Sequence, residues 1–282
     1  MPGTLFVVAT PIGNLEDITM RALRVLRDAT VIAAEDTRRT SHLLARYAIA
    51  TPTTSLHEHN EGRKAAAIVQ RLIAGESVAL VSDAGTPTIS DPGQQLIHDA
   101  IAAGIRIEPV PGPNAAIATL AVSGFNTEVF TFLGFPPVRS KDRREWFKRI
   151  SSLGPIVVFY EAPHRIRRTL ADLQAAIGDC NVTVGRELTK IHEELVRGPI
   201  STVLDRLPEP KGEFTVVADV GQTTDNVALA APPDADIFAE FGESTNNRGA
   251  SRRQALAFLA EKYRMAPNDI YAAIERAKKS VE

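Results

Sequence analysis

Short apolar runs rich in β-branched residues alternate with longer amphipathic stretches over residues 4–110, and no other feature constrains the fold as strongly. The apolar runs are TLFVVA (4–9), TVIAA (30–34), SVALV (77–81) and IRIEPV (105–110). Between them, stretches such as DITMRALRVLRDA and NEGRKAAAIVQRLIAG place apolar residues at helical spacing. Strands and helices in alternation predict an α/β domain with a largely parallel sheet.

The next part of the chain, residues 112–221, has a different pattern. GPNAAIATLAVSG is typical of a helix with Pro near its start and Gly at its end. VFTFLGF, PIVVFYEA, CNVTVGREL and EFTVVADV are typical of strands, and HRIRRTLADLQAAIG is typical of a helix. This order predicts a second domain, α/β or α+β, with mixed strand directions.

The C-terminal part begins with GQTTDNVALAAPPDAD, whose small residues and Pro-Pro pair are typical of a linker. Beyond it the spacing predicts two short helices around a turn at residues 265–267, in a locally basic segment. A helix-turn-helix-like domain and a solvated charged tail explain this segment equally well. The predicted organisation is an N-terminal α/β domain, a second domain that completes a cleft, a linker and a helical domain, over 1–111, 112–221, 222–235 and 236–282.

Composition narrows the class of protein without identifying it. Of 282 residues, 44% are hydrophobic and 23% charged, and the net charge of −2 gives no global attraction to nucleic acid. The single cysteine, Cys180, excludes a disulfide framework within the chain. Because there is neither a signal-like N-terminus nor an apolar run long enough to span a bilayer, we expect a cytoplasmic protein with no membrane partner.

Three common ligand fingerprints are missing from the sequence. There is no G-x-x-x-x-G-K-[ST] phosphate loop, and ATPIGN, after the first predicted strand, lacks the G-x-G-x-x-G of dinucleotide sites. No HExxH or Cys-His pattern with zinc spacing occurs. HEHNE (57–61) is better explained as a polar loop, so we expect no metal site.

Instead, loops rich in Pro, Gly and small polar residues follow the predicted strands. They are TPIGN (10–14), AEDTRRT (34–40), SDAGTPTISDPG (82–93) and PGPN (111–114). Ligands of parallel sheets bind at the carboxyl ends of the strands, where these loops begin. AEDTRRT is explained by a helix start capped by Asp36, by a polar site, or by both. Together the loops predict a cleft for a moderately polar small molecule.

Seven motifs in order make a more specific signal than any one loop. LFVVATPIGNLEDITMRAL, AEDTRRT, SDAGTPTISDPG, PVPGPNAAIATLAVSG, FLGFPP, FYEAPHR and GRELTKIHEE together resemble the tetrapyrrole methylase superfamily. Within it they are similar to a bacterial subgroup that 2′-O-methylates the ribose of a cytidine in the decoding region of 16S rRNA. The C-terminal segment resembles the small helical domain that this subgroup appends.

The resemblance implies S-adenosylmethionine in the cleft between two α/β domains, usually in a homodimer, with 16S rRNA or the 30S subunit as partner. Carried over position by position, it implies a set of cofactor-binding residues in the loops and strand ends. These are Pro11, Ile12, Asp83, Thr86, Asn114, Ala115, Tyr160, Glu213 and Phe214.

The chemistry suggests candidate catalytic residues, because a ribose 2′-hydroxyl is a poor nucleophile at neutral pH. A general base or a cation near the developing alkoxide would help. Candidates are Glu35, Asp36, Glu187 and Lys190. Lys190 would act as a base if its pKa were depressed and as a stabilising cation if protonated. An ordinary salt bridge explains each of these residues as well, and Glu187 and Lys190 are close enough in sequence to pair.

Local basic residues would supply the RNA contacts that the net charge conceals. The predicted phosphate contacts are Arg38, Arg39, Arg165, Arg186, Arg252 and Arg253, with a basic loop RSKDRREWFKR at 139–149. Some of these arginines would simply solvate helix faces instead.

Two other functions are compatible with parts of the sequence. One is methylation of a tetrapyrrole or corrin precursor, against which stand the basic helical segment and the AEDTRR and TISDPG forms of the loops. The other is a non-enzymatic nucleic-acid-binding protein that uses the helical segment. The latter predicts no S-adenosylmethionine binding and leaves the seven motifs unexplained.

Overall fold

The computed structural model describes residues 2–150, 152–207, 211–221, 233–247, 251–263 and 267–279. The chain forms two compact units, Met1–Gln222 and Thr223–Glu282. The larger unit contains two five-stranded sheets. Within the described ranges, no helix is long and apolar enough to cross a membrane.

The first sheet is entirely parallel, as the alternation of strands and helices predicts. Its strands are β1 (Thr4–Val8), β2 (Val31–Ala34), β3 (Thr53–Ser55), β4 (Val78–Val81) and β5 (Arg106–Val110). They lie in the order β3-β2-β4-β1-β5, and every neighbouring pair is parallel. Strand β3 was not predicted, because three short polar residues at a sheet edge carry no apolar signal.

Helices cover both faces of this sheet. They are α1 (Met20–Asp28), α2 (Thr37–Arg46), α3 (Glu61–Ile73) and α4 (Gln94–Ala102). Leu26 of α1 packs with Ile32 on one face, and Leu72 of α3 packs with Leu80 on the other. Burial on both faces explains the nearly continuous apolar strands. It also leaves the carboxyl ends of the strands as the place where polar loops gather.

The second sheet has mixed strand directions, which confirms the prediction for this part of the chain. Its elements are α5 (Ala115–Ala121), β6 (Phe130–Phe132), α6 (Ser140–Ile150), β7 (Ile156–Glu161), α7 (Ile166–Ile177), β8 (Asn181–Arg186), β9 (Glu194–Pro199), α8 (Ile200–Arg206) and β10 (Phe214–Asp219). The order is β6-β7-β10-β8-β9, with β6 and β7 parallel and the other pairs antiparallel. Helix α5 packs on one face, and α6, α7 and α8 pack on the other.

The prediction of a basic loop over 139–149 is wrong, because most of this segment forms α6. Arg143, Phe147 and Ile150 recur at helical spacing and are buried, while the other charged residues point to solvent. The high charge of the segment hid this stripe. Strand β9 and helix α8 were also missed, since ELVRGP contains both Gly and Pro.

The smaller unit is helical. It comprises α9 (Asp234–Gly242), α10 (Arg252–Tyr263) and α11 (Pro267–Lys279). Ile237, Leu259 and Ile274 belong to its shared apolar core. The two helices predicted from the sequence correspond to α10 and α11, and the turn predicted between them lies largely outside the described residues. Helix α9 is an addition, and it starts two residues inside the predicted linker.

Candidate active site

A cleft of about 410 Å³ lies at the carboxyl ends of the first sheet and is closed on its other side by the second sheet. The segments after β1, β2 and β4 form one side. The start of α5, the end of β7 and the start of β10 contribute to the other. The ends of β7 and β10 meet there because the two strands are antiparallel, with Phe214 opposite Glu161.

The structure brings nearly all the predicted cofactor residues to this cleft. Pro11 is the exception, since it is buried beside the cleft-lining Ile12. Those that line the cleft are Ile12, Asp83, Thr86, Asn114, Ala115, Tyr160, Glu213 and Phe214. Their shared position fits a common ligand, and their role in cofactor binding stays a prediction.

Hydrogen bonds join two loops of the first sheet to each other and one of them to the second sheet. The Thr10 N–H donates to the Gly85 carbonyl at 2.8 Å, and the Gly85 N–H donates back at 2.9 Å. The Asn14 N–H donates to Thr189 Oγ1 at 2.9 Å, so the loop after β1 also touches the segment after β8. A Cβ at Gly13 would lie 2.5 Å from the Lys190 side chain. Only glycine permits this approach, which holds the cleft walls together.

Five carboxyl groups line the cleft: Glu161 and Glu213 come from the second sheet, and Glu35, Asp83 and Asp91 come from the loops of the first. The Asp83 N–H donates to Glu35 Oε2 at 3.2 Å, and Arg39 Nη1 lies 3.3 Å from Asp83 Oδ2. Burial raises the pKa of Glu35, although the Asp83 N–H partly opposes the shift. Burial raises the pKa of Asp91 to about 6, and the charges of Glu35 and Asp83 add to the effect. Two cleft carboxyls therefore hold protons more readily than ordinary acids.

Asp36 serves the helix next to the cleft. Its Oδ1 accepts from the Arg38 N–H at 2.8 Å, and its Oδ2 lies 2.7 Å from Arg38 Nη2. This confirms the predicted cap of α2. The hydrogen bonds from Arg38 hold the pKa of Asp36 well below its usual range. Asp36 differs from Glu35 in two respects: it does not line the cleft, and its lowered pKa makes it a weaker base.

Glu187 and Lys190 form the ion pair that their spacing allows. Lys190 Nζ lies 2.9 Å from Glu187 Oε1 and 2.9 Å from Glu213 Oε2. Burial favours a lower pKa for Lys190, but the bonds to the two carboxylates outweigh burial and raise it. Lys190 is therefore an ammonium group in this structure. Neither Glu187 nor Lys190 lines the cleft, whereas Leu188 and Glu213 do.

The predicted RNA-contacting arginines fall into two groups. Arg165 pairs with the buried Glu161 at 3.1 Å, and Arg186 lies 3.3 Å from Glu194, with each guanidinium mostly covered. The others are exposed: Arg38 and Arg39 on α2, with Arg39 lining the cleft, and Arg252 and Arg253 at the start of α10. Phosphate binding by all six arginines stays a prediction.

Several cleft residues were not singled out from the sequence. Ser90, in the segment after β4, has a φ angle of +67°, and Thr88, which does not line the cleft, has one of +73°; non-glycine residues rarely adopt either. The unusual composition of SDAGTPTISDPG was a signal for this loop, but it did not distinguish its members. The residues missed are Ala84, Gly85, Ile89, Ser90, Asp91, Phe135, Glu161, Ala162, Pro163, Leu188 and Thr215.

No group of three or more His, Cys, Asp or Glu among the described residues is arranged to hold a metal ion.

Comparison with known proteins identifies the class to which this fold and cleft belong. The family model for tetrapyrrole (corrin/porphyrin) methylases matches residues 4–204. Diphthine synthase superposes with a TM-score of 0.61 at 13% identity, over 77% of this chain and 89% of that one. Uroporphyrin-III C-methyltransferase from Thermus thermophilus, complexed with S-adenosylhomocysteine, gives 0.57 at 15% identity, over 77% and 98%. The chain belongs to the tetrapyrrole methylase family.

More similar relatives define a group within that family. A protein from Synechocystis is 41% identical over 277 residues, covering 95% of this chain and 96% of the relative. One from Bacillus subtilis is 39% identical, covering 96% and 94%, and one from Xylella fastidiosa is 49% identical, covering 77% and 81%. Each is named ribosomal RNA small subunit methyltransferase I, and this chain belongs to their group.

Proposed function

We propose that this protein uses S-adenosylmethionine to methylate the 2′-hydroxyl of a cytidine in 16S rRNA. The observation that carries the proposal is the convergence of the predicted cofactor residues on one cleft of the parallel sheet. Relatives that span nearly the whole chain and are named for rRNA methylation support RNA, rather than a tetrapyrrole, as the substrate.

The lining of the cleft fits S-adenosylmethionine. This cofactor is a sulfonium cation with an adenine ring, and when bound it supplies an activated methyl group. Acids outnumber the single basic residue, Arg39, among the residues that line the cleft, which favours a cationic ligand. Tyr160 and Phe214 offer aromatic surface, and the volume falls within the range typical of small-molecule sites.

We assign the cofactor to both sides of the cleft. Ile12, Asp83 and Thr86 would hold it from the first sheet, with Pro11 packed behind. Asn114, Ala115, Tyr160, Glu213 and Phe214 would hold it from the second sheet. Because an in-line methyl transfer depends on alignment, loops held by backbone contacts suit this task.

The remaining chemical task is removal of the proton from the 2′-hydroxyl. Glu35 and Asp91 are the candidates, because both line the cleft and have raised pKa values. A base is most effective when its pKa lies near the working pH. The lowered pKa of Asp36 makes it a weaker candidate. Lys190, an ammonium paired with Glu187 beside the cleft, would stabilise negative charge rather than accept a proton.

The RNA would be held outside the cleft. Exposed Arg39 lines the cleft, and Arg38 is its exposed neighbour on α2. Arg252 and Arg253 belong to the helical unit, so phosphate contacts from both units are proposed. Arg165 and Arg186 have protein partners and would contribute less. We further propose that residues 236–282 capture the RNA, and that the protein acts in the cytoplasm as a homodimer on 16S rRNA or the 30S subunit.

Transfer of a labelled methyl group tests the proposal. The protein is incubated with radiolabelled S-adenosylmethionine and either 30S subunits or naked 16S rRNA from a strain that lacks this modification. A tetrapyrrole precursor is offered in parallel. We expect label on a ribose of one RNA substrate, mapped by primer extension and nucleoside analysis. Label on neither RNA contradicts the proposal, and label on the tetrapyrrole alone supports the alternative substrate.

A further inference from the structure

The mouth of the cleft carries two large apolar side chains that remain open to solvent. Phe135 is 55% exposed and Ile89 is 40% exposed, and both line the cleft. Deeper aromatic side chains are better covered: Phe214 is buried and Tyr160 is half-buried. An exposed aromatic ring beside a polar cleft is a typical feature of a binding surface.

Hydrogen bonds to backbone carbonyls hold the segment that carries Phe135 in place. The Tyr160 N–H donates to the Gly134 carbonyl at 2.9 Å, and the rings of Phe135 and Tyr160 lie 5.5 Å apart. Arg165 donates to the Pro136 carbonyl at 2.6 Å, and the buried Arg143 donates to the Val138 carbonyl at 3.1 Å. The hydrogen bonds fix the backbone around Phe135, and the neighbouring Tyr160 ring packs against its side chain, which reduces the entropy lost when a partner binds.

Ile89 reaches the mouth from the other sheet. Gly134, just before Phe135, has a φ of +64°, and a Cβ there would lie 3.3 Å from Ser90 Oγ. The segment after β4 and the segment after β6 therefore touch at the residues next to Ile89 and Phe135. Ile89 and Phe135 therefore lie on adjoining segments at the cleft mouth, and we call these two side chains the rim.

The charges in and around the cleft favour different positions for the phosphates and for the ribose of an RNA substrate. The interior carries Glu35, Asp83 and Asp91, which repel phosphate, whereas the exposed guanidinium of Arg39 attracts it. A ribose can enter such a cleft only if its nucleotide leaves the base stack, which has an energetic cost. An aromatic surface at the mouth offsets that cost by stacking with the extruded base.

We propose that Phe135, supported by Ile89, is the stacking surface for the base of the nucleotide that is methylated. This inference rests on the proposed RNA substrate. It assigns the rim to the RNA base and leaves the deeper Tyr160 and Phe214 to the cofactor. It also makes Arg143 and Arg165 positioning residues for the rim.

Replacement of Phe135 tests the inference, with Phe130 as a matched control. Phe130 is also an exposed phenylalanine, 40% exposed, but it does not line the cleft. For Phe135→Ala we expect affinity for the RNA substrate and kcat/KM to fall about tenfold or more, since stacking on an aromatic side chain contributes about that factor per base. The Kd for S-adenosylmethionine, measured by calorimetry, should stay within about twofold of the value for the unmodified protein, because Phe135 is assigned to the RNA and not to the cofactor.

Further variants separate stacking from apolar contact. Phe135→Trp should retain RNA affinity, Phe135→Leu should lose most of it, and Phe130→Ala should behave as the unmodified protein. A decoding-region oligonucleotide with pyrrolocytidine at the target position gives a readout independent of methyl transfer. Its fluorescence should be quenched on binding to the unmodified protein, and quenching should be lost with Phe135→Ala.

Two results would overturn the inference while the proposed function stands. One is RNA kinetics and quenching for Phe135→Ala that match those of Phe130→Ala. The other is a loss of S-adenosylmethionine affinity with RNA binding unchanged, which would place Phe135 in the cofactor site. A failure of the proposed function is distinct, since the unmodified protein would then label no RNA.

Discussion

The two walls of the cleft differ in chemistry and in the way they are held. The first sheet contributes an acidic wall, formed by Glu35, Asp83 and Asp91. The carboxylates of Glu35 and Asp83 accept hydrogen bonds from backbone N–H groups of the neighbouring loop. The second sheet contributes an aromatic wall of Phe135, Tyr160 and Phe214. The carbonyls just beyond Phe135 accept hydrogen bonds from two largely buried arginines, Arg143 and Arg165.

This difference suggests that the two walls have different tasks. Carboxylates suit a cationic cofactor and the transfer of a proton, whereas rings suit the flat faces of adenine and of an RNA base. The three rings all lie on the second sheet, and the two carboxylates that this sheet adds to the cleft, Glu161 and Glu213, are paired with Arg165 and Lys190. Each wall can therefore be disturbed alone. A change in one wall should then leave the task of the other nearly intact.

The largest effect is expected from Arg143, which supports the aromatic wall. Its guanidinium is 2% exposed and lies 2.7 Å from Asp172. Arg143→Ala would leave that carboxylate without its partner, and we expect a loss of about 3–5 kcal/mol in the free energy of unfolding. Arg144→Ala, an exposed neighbour on α6, should cost close to nothing. Urea unfolding measures both, and equal losses would contradict the role given to Arg143.

Replacement of the acidic wall's candidate bases should slow methyl transfer without unfolding the protein. A base must be deprotonated to accept a proton, so kcat should rise with pH through an apparent pKa near that of Asp91, about 6, and then level off. Asp91→Asn should lower kcat about 100-fold and remove this dependence.

The matched variant Glu35→Gln decides which carboxyl is the base. If Glu35→Gln removes the pH dependence and Asp91→Asn keeps it, the proton acceptor is Glu35. An unchanged pH profile in both variants would exclude a catalytic base on the acidic wall.

A smaller effect is expected at Glu61, whose carboxylate binds the end of the loop that carries Asp83 and Asp91. The N-cap residue of α4 is Gly93, which has no side chain to cap the helix. Glu61 Oε1 accepts instead from the N–H groups of Gly93 and Gln95 at 3.0 and 2.8 Å. Glu61→Ala should cost about 1 kcal/mol of stability, as the loss of a helix cap does. Because the loop of Asp83 and Asp91 ends there, S-adenosylmethionine should also bind several-fold more weakly.

Two further variants check this role of Glu61. Glu61→Gln keeps an acceptor oxygen and should lose less stability than Glu61→Ala. Glu58→Ala, at an exposed neighbour, should change neither thermal stability nor cofactor affinity. If Glu61→Ala and Glu58→Ala bind the cofactor equally well, the contact between Glu61 and the start of α4 does not affect the cleft.

The acidic wall was more predictable from the sequence than the aromatic wall, for a physical reason. Buried parallel strands such as β4 are continuous apolar runs, and the polar loops that follow them meet at one sheet edge by geometry alone. Their motifs therefore led to Glu35 and Asp83. Asp91 was missed because its burial depends on how its loop folds back, which composition does not show.

The rim depends on contacts that no local pattern carries. Phe135 follows Gly134, which approaches Ser90 in a loop of the other sheet, a pairing distant in sequence. Arg165 was predicted as a phosphate contact from its charge, yet its guanidinium pairs with the buried Glu161 and the Pro136 carbonyl. Helix α6, which supplies Arg143, was hidden by its high charge. Sequence patterns predict elements better than they predict the partners of a side chain.

Equilibrium binding shows whether the two walls enclose one S-adenosylmethionine site. Calorimetric titration of the cofactor compares the unmodified protein with Asp83→Asn and with the control Asp28→Asn, an exposed position at the end of α1. We predict one site per chain, at least about tenfold weaker binding to Asp83→Asn from the loss of one charged partner, and no change for Asp28→Asn. Equal affinity in all three proteins would contradict the account.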